Sequence, residues 1–168
     1  SKNVGTSIKH FAANNQEHRR LSCSSEIDER TLREIYLAAF EAAIKEGKPD
    51  TVMCSYNKIN GTFASENHWL LTEVLRDEWG FEGYVMSDWG AVNDRVRGLE
   101  AGLDLEMPAS GGHTDAEIVA AVKDGTLDEA VLNRAVERIL RIIFKFADDR
   151  RPGDFDKEKH DRLAEKIA

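Results

Sequence analysis

Asp88 closes the run Tyr84-Val85-Met86-Ser87-Asp88-Trp89-Gly90, where a carboxylate is followed at once by an aromatic and a glycine. The apolar part suits a buried parallel strand, and in α/β barrels the strand ends carry the chemistry. Lys9 and His10 end an earlier strand-like run and Tyr56 ends another. One acid with ammonium, imidazole and phenol groups suits a polyhydroxylated substrate such as a sugar. Each group also has a plainer reading. A buried carboxylate must be solvated, paired or used, so Asp88 could equally be a helix cap or a structural ion pair. Lys9 could be a surface lysine beside a satisfied core histidine, His10. Adjacent strand side chains point to opposite faces, so both line one pocket only at an irregular strand end. Arg20 reaches that pocket across a polar loop, or is an ordinary surface arginine. Met53 is core filler or a pocket wall. Trp89 is core or a stacking wall for a sugar ring. Asp104 and Glu106, on a later short run, are candidates for structural pairing with Lys or Arg.

The elements that must position these groups alternate between strand and helix. Strands are expected at Val4–Phe11, Thr51–Tyr56, Gly83–Asp88 and Leu103–Met107. A turn is expected at Asn60-Gly61. A helix over Arg30–Lys45 would place Leu32, Tyr36, Ala39, Phe40, Ala43 and Ile44 on one face and stop at Gly47 and Pro49. A second, His68–Trp79, carries Leu71, Val74, Leu75 and Trp79 and closes at Gly80. Val92–Ala101 reads as helical. Two capping boxes, Thr114 with Glu117 and Thr126 with Glu129, would open two more helices. The second runs to about Ala147, with Leu132, Val136, Ile139, Leu140 and Ile143 on its buried side. Arg150–Asp156 reads as a charged linker, and Asp161–Ala168 begins a further helix-like segment.

These are four β/α units, half of the (β/α)8 barrel that typically needs ~250 residues. A half barrel leaves two strand edges unpaired. The expected fold is therefore α/β, the second half of a TIM-type barrel and a fragment of a larger protein. Residues 1–149 form the half barrel and 150–168 lead toward a missing second domain. A small open sheet is the alternative.

The 168 residues are 41% hydrophobic and 32% charged, with a net charge of −8. A nucleic-acid binder would show a basic face, and no apolar run approaches the ~18 residues of a membrane span. No signal peptide is visible. That points weakly to the cytoplasm, because the chain does not start with Met and its N-terminus reads as cut from something longer. Cys23 and Cys54 make neither a disulfide framework nor a zinc site. No Gly-rich phosphate loop, His-Glu-x-x-His motif or nucleophile elbow occurs, so neither cofactor nor metal is expected.

Four segments in order resemble glycoside hydrolase family 3, the β-glucosidase group. They are Lys9-His10-Phe11-Ala12-Ala13-Asn14-Asn15-Gln16-Glu17; Val52-Met53-Cys54-Ser55-Tyr56-Asn57 with Asn60-Gly61; Gly83 through Gly90; and Gly102-Leu103-Asp104-Leu105-Glu106-Met107-Pro108. The resemblance implies that Asp88 is the catalytic nucleophile and that Lys9 and His10 bind sugar hydroxyls. Arg20 matches a family arginine by spacing, with Arg19 as the neighbouring register. Met53, Tyr56 and Trp89 match pocket-lining positions. Ala12-Ala13-Asn14-Asn15 departs from the N-acetylhexosaminidase branch and resembles the glucosidase and xylosidase branch.

The implied activity is retaining, exo-acting β-glycoside hydrolysis, by a β-glucosidase or alternatively a β-xylosidase. Such an enzyme needs two carboxyl groups ~5–5.5 Å apart. Lys9 would keep Asp88 ionised by charge pairing. No acid/base glutamate stands out, and in the family it commonly comes from the following domain. The isolated chain is therefore expected to be inactive or weakly active. Its implied partners are a β-glucoside or oligosaccharide, the missing barrel half and second domain, and a second copy that would cover the open edges. Two rival readings remain. One is a non-catalytic carbohydrate-binding barrel. The other is an aldolase-like barrel with Lys9 as Schiff-base amine.

Overall fold

The computed structural model describes residues 4–147 and 156–168. Strands β1 (Ser7–Phe11), β3 (Thr51–Cys54) and β6 (Tyr84–Met86) form a parallel sheet in the order β1-β3-β6. A single parallel bridge, Met86 to Leu105, lies beyond β6. A second small sheet joins β2 (Ser24–Ser25) to the hairpin of β4 (Lys58–Ile59) and β5 (Thr62–Phe63). The hairpin turns at Asn60 and Gly61, both at positive φ (50° and 86°), the backbone that an Asn-Gly pair supplies most readily. The Asn60 side chain then joins the turn to Ile27, accepting from its N–H and donating to its carbonyl.

Helix α1 covers residues 29–47 and starts at Asp28, whose carboxylate accepts from the Thr31 N–H. Two of its stretches, Leu32–Leu37 and Ala43–Gly47, have the wide i→i+5 turns of a π-helix. A 3.6-residue period therefore misplaces its buried face. Leu32 and Leu37, five apart, are buried with Ile44, whereas Ala39 is exposed. Helix α2 (Trp69–Glu78), whose turns are of the wide π type throughout, buries Leu70, Leu71, Val74 and Leu75 completely, and Trp79 follows them into the core. Each such side chain contributes roughly 1.5–3 kcal/mol by leaving water. Phe11 joins the two helices to the sheet, edge-on to Phe40 at 5.1 Å and tilted against Trp79 at 5.9 Å.

The last expected strand, Leu103–Met107, is reduced to that one bridge. Asp104 disrupts the ladder: its carboxylate accepts the Val85 N–H, while the Asp104 and Leu105 N–H groups both turn to the Val85 carbonyl. The same carboxylate, almost fully buried, receives Arg76 from α2 at 2.6 Å and Arg138 from a later helix at 2.9 Å. It is thus the structural partner expected of Asp104 or Glu106, and it ties β6 to two helices.

Helix α3 (Arg95–Ala101) begins three residues later than Val92, because Asp94 caps it through the Arg97 N–H. Helix α4 (His113–Asp124) does not use the Thr114–Glu117 box. Thr114 lies inside the first turn, and its hydroxyl bonds Glu106 and Ser110 instead. Nor does Thr126 cap α5 (Glu129–Ala147); Asp128, closer in sequence, accepts from the Ala130 and Val131 N–H groups. A small second core joins α3, α4 and α5 through Leu99, Ile118, Leu127 and Ala135. Only Ala135 of α5 is fully buried, and Val136, Leu140 and Ile143 are exposed. Periodicity reports an apolar face but not whether anything covers it. The expected linker lies outside the described residues except for Asp156. That residue caps α6 (Lys157–Ile167), so the final helix starts four residues before Asp161. No described helix is long and apolar enough to cross a membrane.

Gly83 marks the tightest backbone approach. A Cβ there would lie 2.0 Å from the Asp50 carbonyl oxygen and 2.7 Å from Phe81 Cζ. Gly83→Ala must push β6 away from β3, and overpacking of this kind costs about 1–3 kcal/mol. The urea midpoint of the folded chain should fall accordingly. An unchanged midpoint would contradict this packing.

Candidate active site

Asp88 follows β6 at the C-terminal end of the parallel sheet, where open α/β sheets place ligands. It is only 8% exposed. Two hydrogen-bond donors and an imidazole converge on its carboxylate. Tyr56 Oη donates to Oδ1 at 3.0 Å, the Trp89 backbone N–H donates to the same oxygen at 2.7 Å, and His10 Nε2 lies 3.3 Å from Oδ2. The chain then turns sharply. The Ala91 N–H returns to the Asp88 carbonyl, and Gly90 takes a positive φ of 77° and donates to the Met107 carbonyl. Asp88 caps no helix, and its ion-pair partner within reach is an imidazole, not a structural arginine.

Each partner arrives from a neighbouring strand end. Tyr56 lies two residues beyond β3. His10 is near the end of β1, where the pairing register with β3 shifts between Ile8 and Phe11 and the Lys9–His10 and Phe11–Ala12 peptide bonds are cis. This is the irregular strand end that the adjacent Lys9 and His10 require. It brings only His10 to Asp88. Lys9 is exposed and forms no ion pair with Asp88 or any other described acid, so the contact expected of Lys9 is made by His10. Arg20 reaches the site through Tyr56: its guanidinium stacks 4.4 Å from the ring centroid and is held by Glu17 at 2.6 Å. Arg19, the other register, sits at positive φ and caps the turn to Ser22 and Cys23 with its carbonyl. Met53 is half-buried on β3, in register with Met86. The Trp89 ring is 63% exposed, so it is a free aromatic wall and not core.

Sequence reasoning missed the residues that hold this arrangement. Ser55, Asn57 and Ser25 fasten the chain just past His10. Ser55 Oγ donates to the Ala12 carbonyl at 2.9 Å, Asn57 Nδ2 donates to the same carbonyl at 3.3 Å, and Ser25 Oγ donates to the Ala13 carbonyl at 3.0 Å. The available signal was small polar residues directly after an apolar strand, since buried polar side chains must find partners.

The electrostatics follow the burial. Burial, then the hydrogen bond to Asp88 and the charge of that carboxylate, hold the Tyr56 phenol above its ordinary range. Its folded pKa exceeds its unfolded value of ~10. The folded state therefore binds more protons across the interval between the two, and stability falls as pH rises through it. A 295 nm difference titration of wild type against Tyr56→Phe should show the missing phenolate step above the usual tyrosine range; a step at or below pH ~10 would contradict it. Burial also pushes the Cys54 thiol up to about 12, so it is protonated and inert at neutral pH. Among the described residues, no three His, Cys, Asp or Glu side chains are grouped to hold a metal ion.

A parallel α/β sheet whose strand ends converge on one imidazole- and phenol-bound carboxylate defines an α/β protein with a carboxylate-centred polar site. The chain belongs to glycosyl hydrolase family 3: the model described as the family's N terminal domain matches residues 1–142. Thermostable beta-glucosidase B of Acetivibrio thermocellus is 60% identical over 169 residues, taking in all of this chain and 22% of that protein. An exo-alpha-(1->6)-L-arabinopyranosidase of Bifidobacterium breve is 53% identical, again over the whole chain and 22% of that protein. Among solved structures, a GH3 beta-glucosidase of Bifidobacterium adolescentis superposes with a TM-score of 0.90 at 51% identity, over 98% of this chain and 24% of that one. Beta-glucosidase 3B of Thermotoga neapolitana, in complex with alpha-D-glucose, gives 0.89 at 46% identity, over 96% of this chain and 24% of that one. The chain thus spans about a fifth of the length of the curated relatives it matches.

Proposed function

We propose that this chain carries the nucleophile half of a retaining, exo-acting β-glycosidase site, that of a β-glucosidase. The observation that carries the reading is the convergence of Tyr56, the Trp89 N–H and His10 on Asp88. Oδ1 is occupied by two donors, whereas Oδ2 has one longer contact, so Oδ2 is the oxygen free to attack. It forms a bond to the anomeric carbon as the bond to the leaving oxygen breaks, and the leaving oxygen takes a proton from an acid/base group. Water, deprotonated by that same group, then displaces the sugar from Asp88 with net retention. Lys9, His10 and Arg20 bind sugar hydroxyls, Met53 and Tyr56 line the pocket, and the exposed Trp89 ring stacks on the sugar. Glu17 is held by Arg20 beside the Tyr56 ring, so the acid/base is assigned to a segment outside these residues. The isolated chain is accordingly inactive or weakly active. No cofactor or metal is invoked.

The same reading assigns residues 1–149 to half of a (β/α)8 barrel and 150–168 to the lead toward a second domain. The order β1-β3-β6 followed by the bridge to Leu105 supports it, because consecutive β/α units add parallel strands in sequence order. Further units would complete the sheet at its open edges. A second copy is the alternative cover, and a folded monomer in equilibrium sedimentation would remove it.

Proton NMR of the first product formed by a polypeptide of the relatives' full length tests the mechanism. The β-anomer of glucose should appear before mutarotation, and an initial α-anomer would overturn retention. Aryl β-xyloside and α-L-arabinopyranoside run alongside fix the sugar, since relatives of both β-glucosidase and arabinopyranosidase name match the whole chain.

A further inference from the structure

We infer that Ser55, Asn57 and Ser25 form a latch that aims His10 at Asp88, so that they are positioning residues for the proposed reaction and not only core polar groups. This rests on the reading of Asp88 as nucleophile. The observation is where their bonds fall. All three donate to the carbonyls of two consecutive residues, Ala12 and Ala13, two and three positions past His10. The backbone completes the clamp: the Ser55 N–H donates to the Phe11 carbonyl at 2.8 Å. Ser55 and Asn57 are fully buried, as are Phe11 and Ala12. Ser55 and Asn57 flank Tyr56, which holds the other oxygen of the same carboxylate. The stretch after β3 thus fixes both side-chain contacts of Asp88, one directly and one through the β1 chain.

The clamp acts where regular pairing fails. The β1–β3 register shifts between Ile8 and Phe11, so the ladder does not set the direction of His10. The side-chain bonds to Ala12 and Ala13 set it instead. The His10–Asp88 contact of 3.3 Å is the longest of the three at the carboxylate, and it has the least slack before it is lost. Misplacing a catalytic contact by ~1 Å can cost as much as 10²-fold in rate.

A double-mutant cycle on kcat/KM for an aryl β-glucoside, in a polypeptide of the relatives' full length, separates this role from a merely structural one. Ser55→Ala should lower kcat/KM by roughly 10-fold and His10→Ala by about 100-fold. Because the latch works through His10, the double variant should fall about 100-fold, not 1,000-fold. Ser25→Ala, at a half-buried site, should show the same non-additivity with a smaller single effect, and it carries the test if Ser55→Ala fails to fold. Losses that multiply in the double variant overturn the latch while leaving the nucleophile assignment intact. If both His10→Ala and Asp88→Asn keep wild-type turnover, the functional reading fails instead.

Discussion

Asp88→Asn should abolish turnover while leaving the fold and sugar binding in place. The amide is nearly isosteric with the carboxylate and can still accept from Tyr56 and from the Trp89 N–H. It cannot form the ester bond to the anomeric carbon. In a polypeptide of the relatives' full length, kcat should fall by about 10³-fold or more, equivalent to ~4 kcal/mol of transition-state stabilisation. The glucose Kd should stay within a few-fold and the thermal midpoint should hold. Steady-state kinetics with calorimetric titration of glucose reads both. A loss of binding in parallel with turnover would make Asp88 a ligand for the sugar and not its nucleophile. Retained turnover would remove Asp88 as the nucleophile, whereas no turnover in the wild type either is what the carbohydrate-binding reading requires; for the Schiff-base reading, borohydride trapping at Lys9 is the direct check.

Asp104→Ala should be the most destabilising single change in the described core. Its carboxylate faces Arg76 and Arg138 and also accepts the Val85 N–H. Removing it strands a buried guanidinium, Arg76, with the neutralising charge gone. Burial already pulls the Arg76 pKa down to about 10 against the opposing pull of Asp104. Breaking a buried pair on one side costs about 3–5 kcal/mol, a large share of the 5–15 kcal/mol by which folded domains are stable. Urea unfolding of the 168-residue chain should show the midpoint collapse. The Arg138→Ala variant should lose much less, because that side chain is partly in water and the Asp104–Arg76 pair survives. Equal losses for the two variants would contradict a carboxylate-centred network.

The residues differ in how far the sequence alone reveals them. Asp88 was legible because a carboxylate directly after a buried apolar strand is costly to keep unless it is solvated, paired or put to use. The hydrophobic face of α2 was legible although its turns are wide too, because over so short a helix Leu71, Val74 and Leu75 fall on one side at either spacing. The face of α1 was less so, since ordinary and wide turns alternate along it and put Leu37 inside and Ala39 outside, and no residue type announces the change. The strand expected at Leu103–Met107 gave way to the Asp104 carboxylate, a tertiary choice that overrides local β propensity. Thr114 and Thr126 matched the capping pattern, yet Gly112 and Asp128 took those places, because caps compete over a few residues. At the site, both Lys9 and His10 were candidates for the pocket, and the pairing with Asp88 was expected of Lys9. The register break after Ile8 decides between them and brings His10 alone to Asp88. The exposed row of Val136, Leu140 and Ile143 shows the same limit at the surface. Amphipathicity states that a face is apolar, and only the fold states what covers it.

Asp88 is proposed to attack the sugar. Incubation with a 2-deoxy-2-fluoro-β-glucoside bearing a dinitrophenyl leaving group, followed by peptide mass analysis, tests it most directly. So good a leaving group needs little acid catalysis, so an acid/base supplied from elsewhere does not limit the first step. A sugar adduct on the peptide containing Asp88, absent in the Asp88→Asn variant, is the predicted result for a polypeptide of the relatives' full length. An adduct on another carboxylate, or none while the enzyme still turns over the reagent, would contradict it.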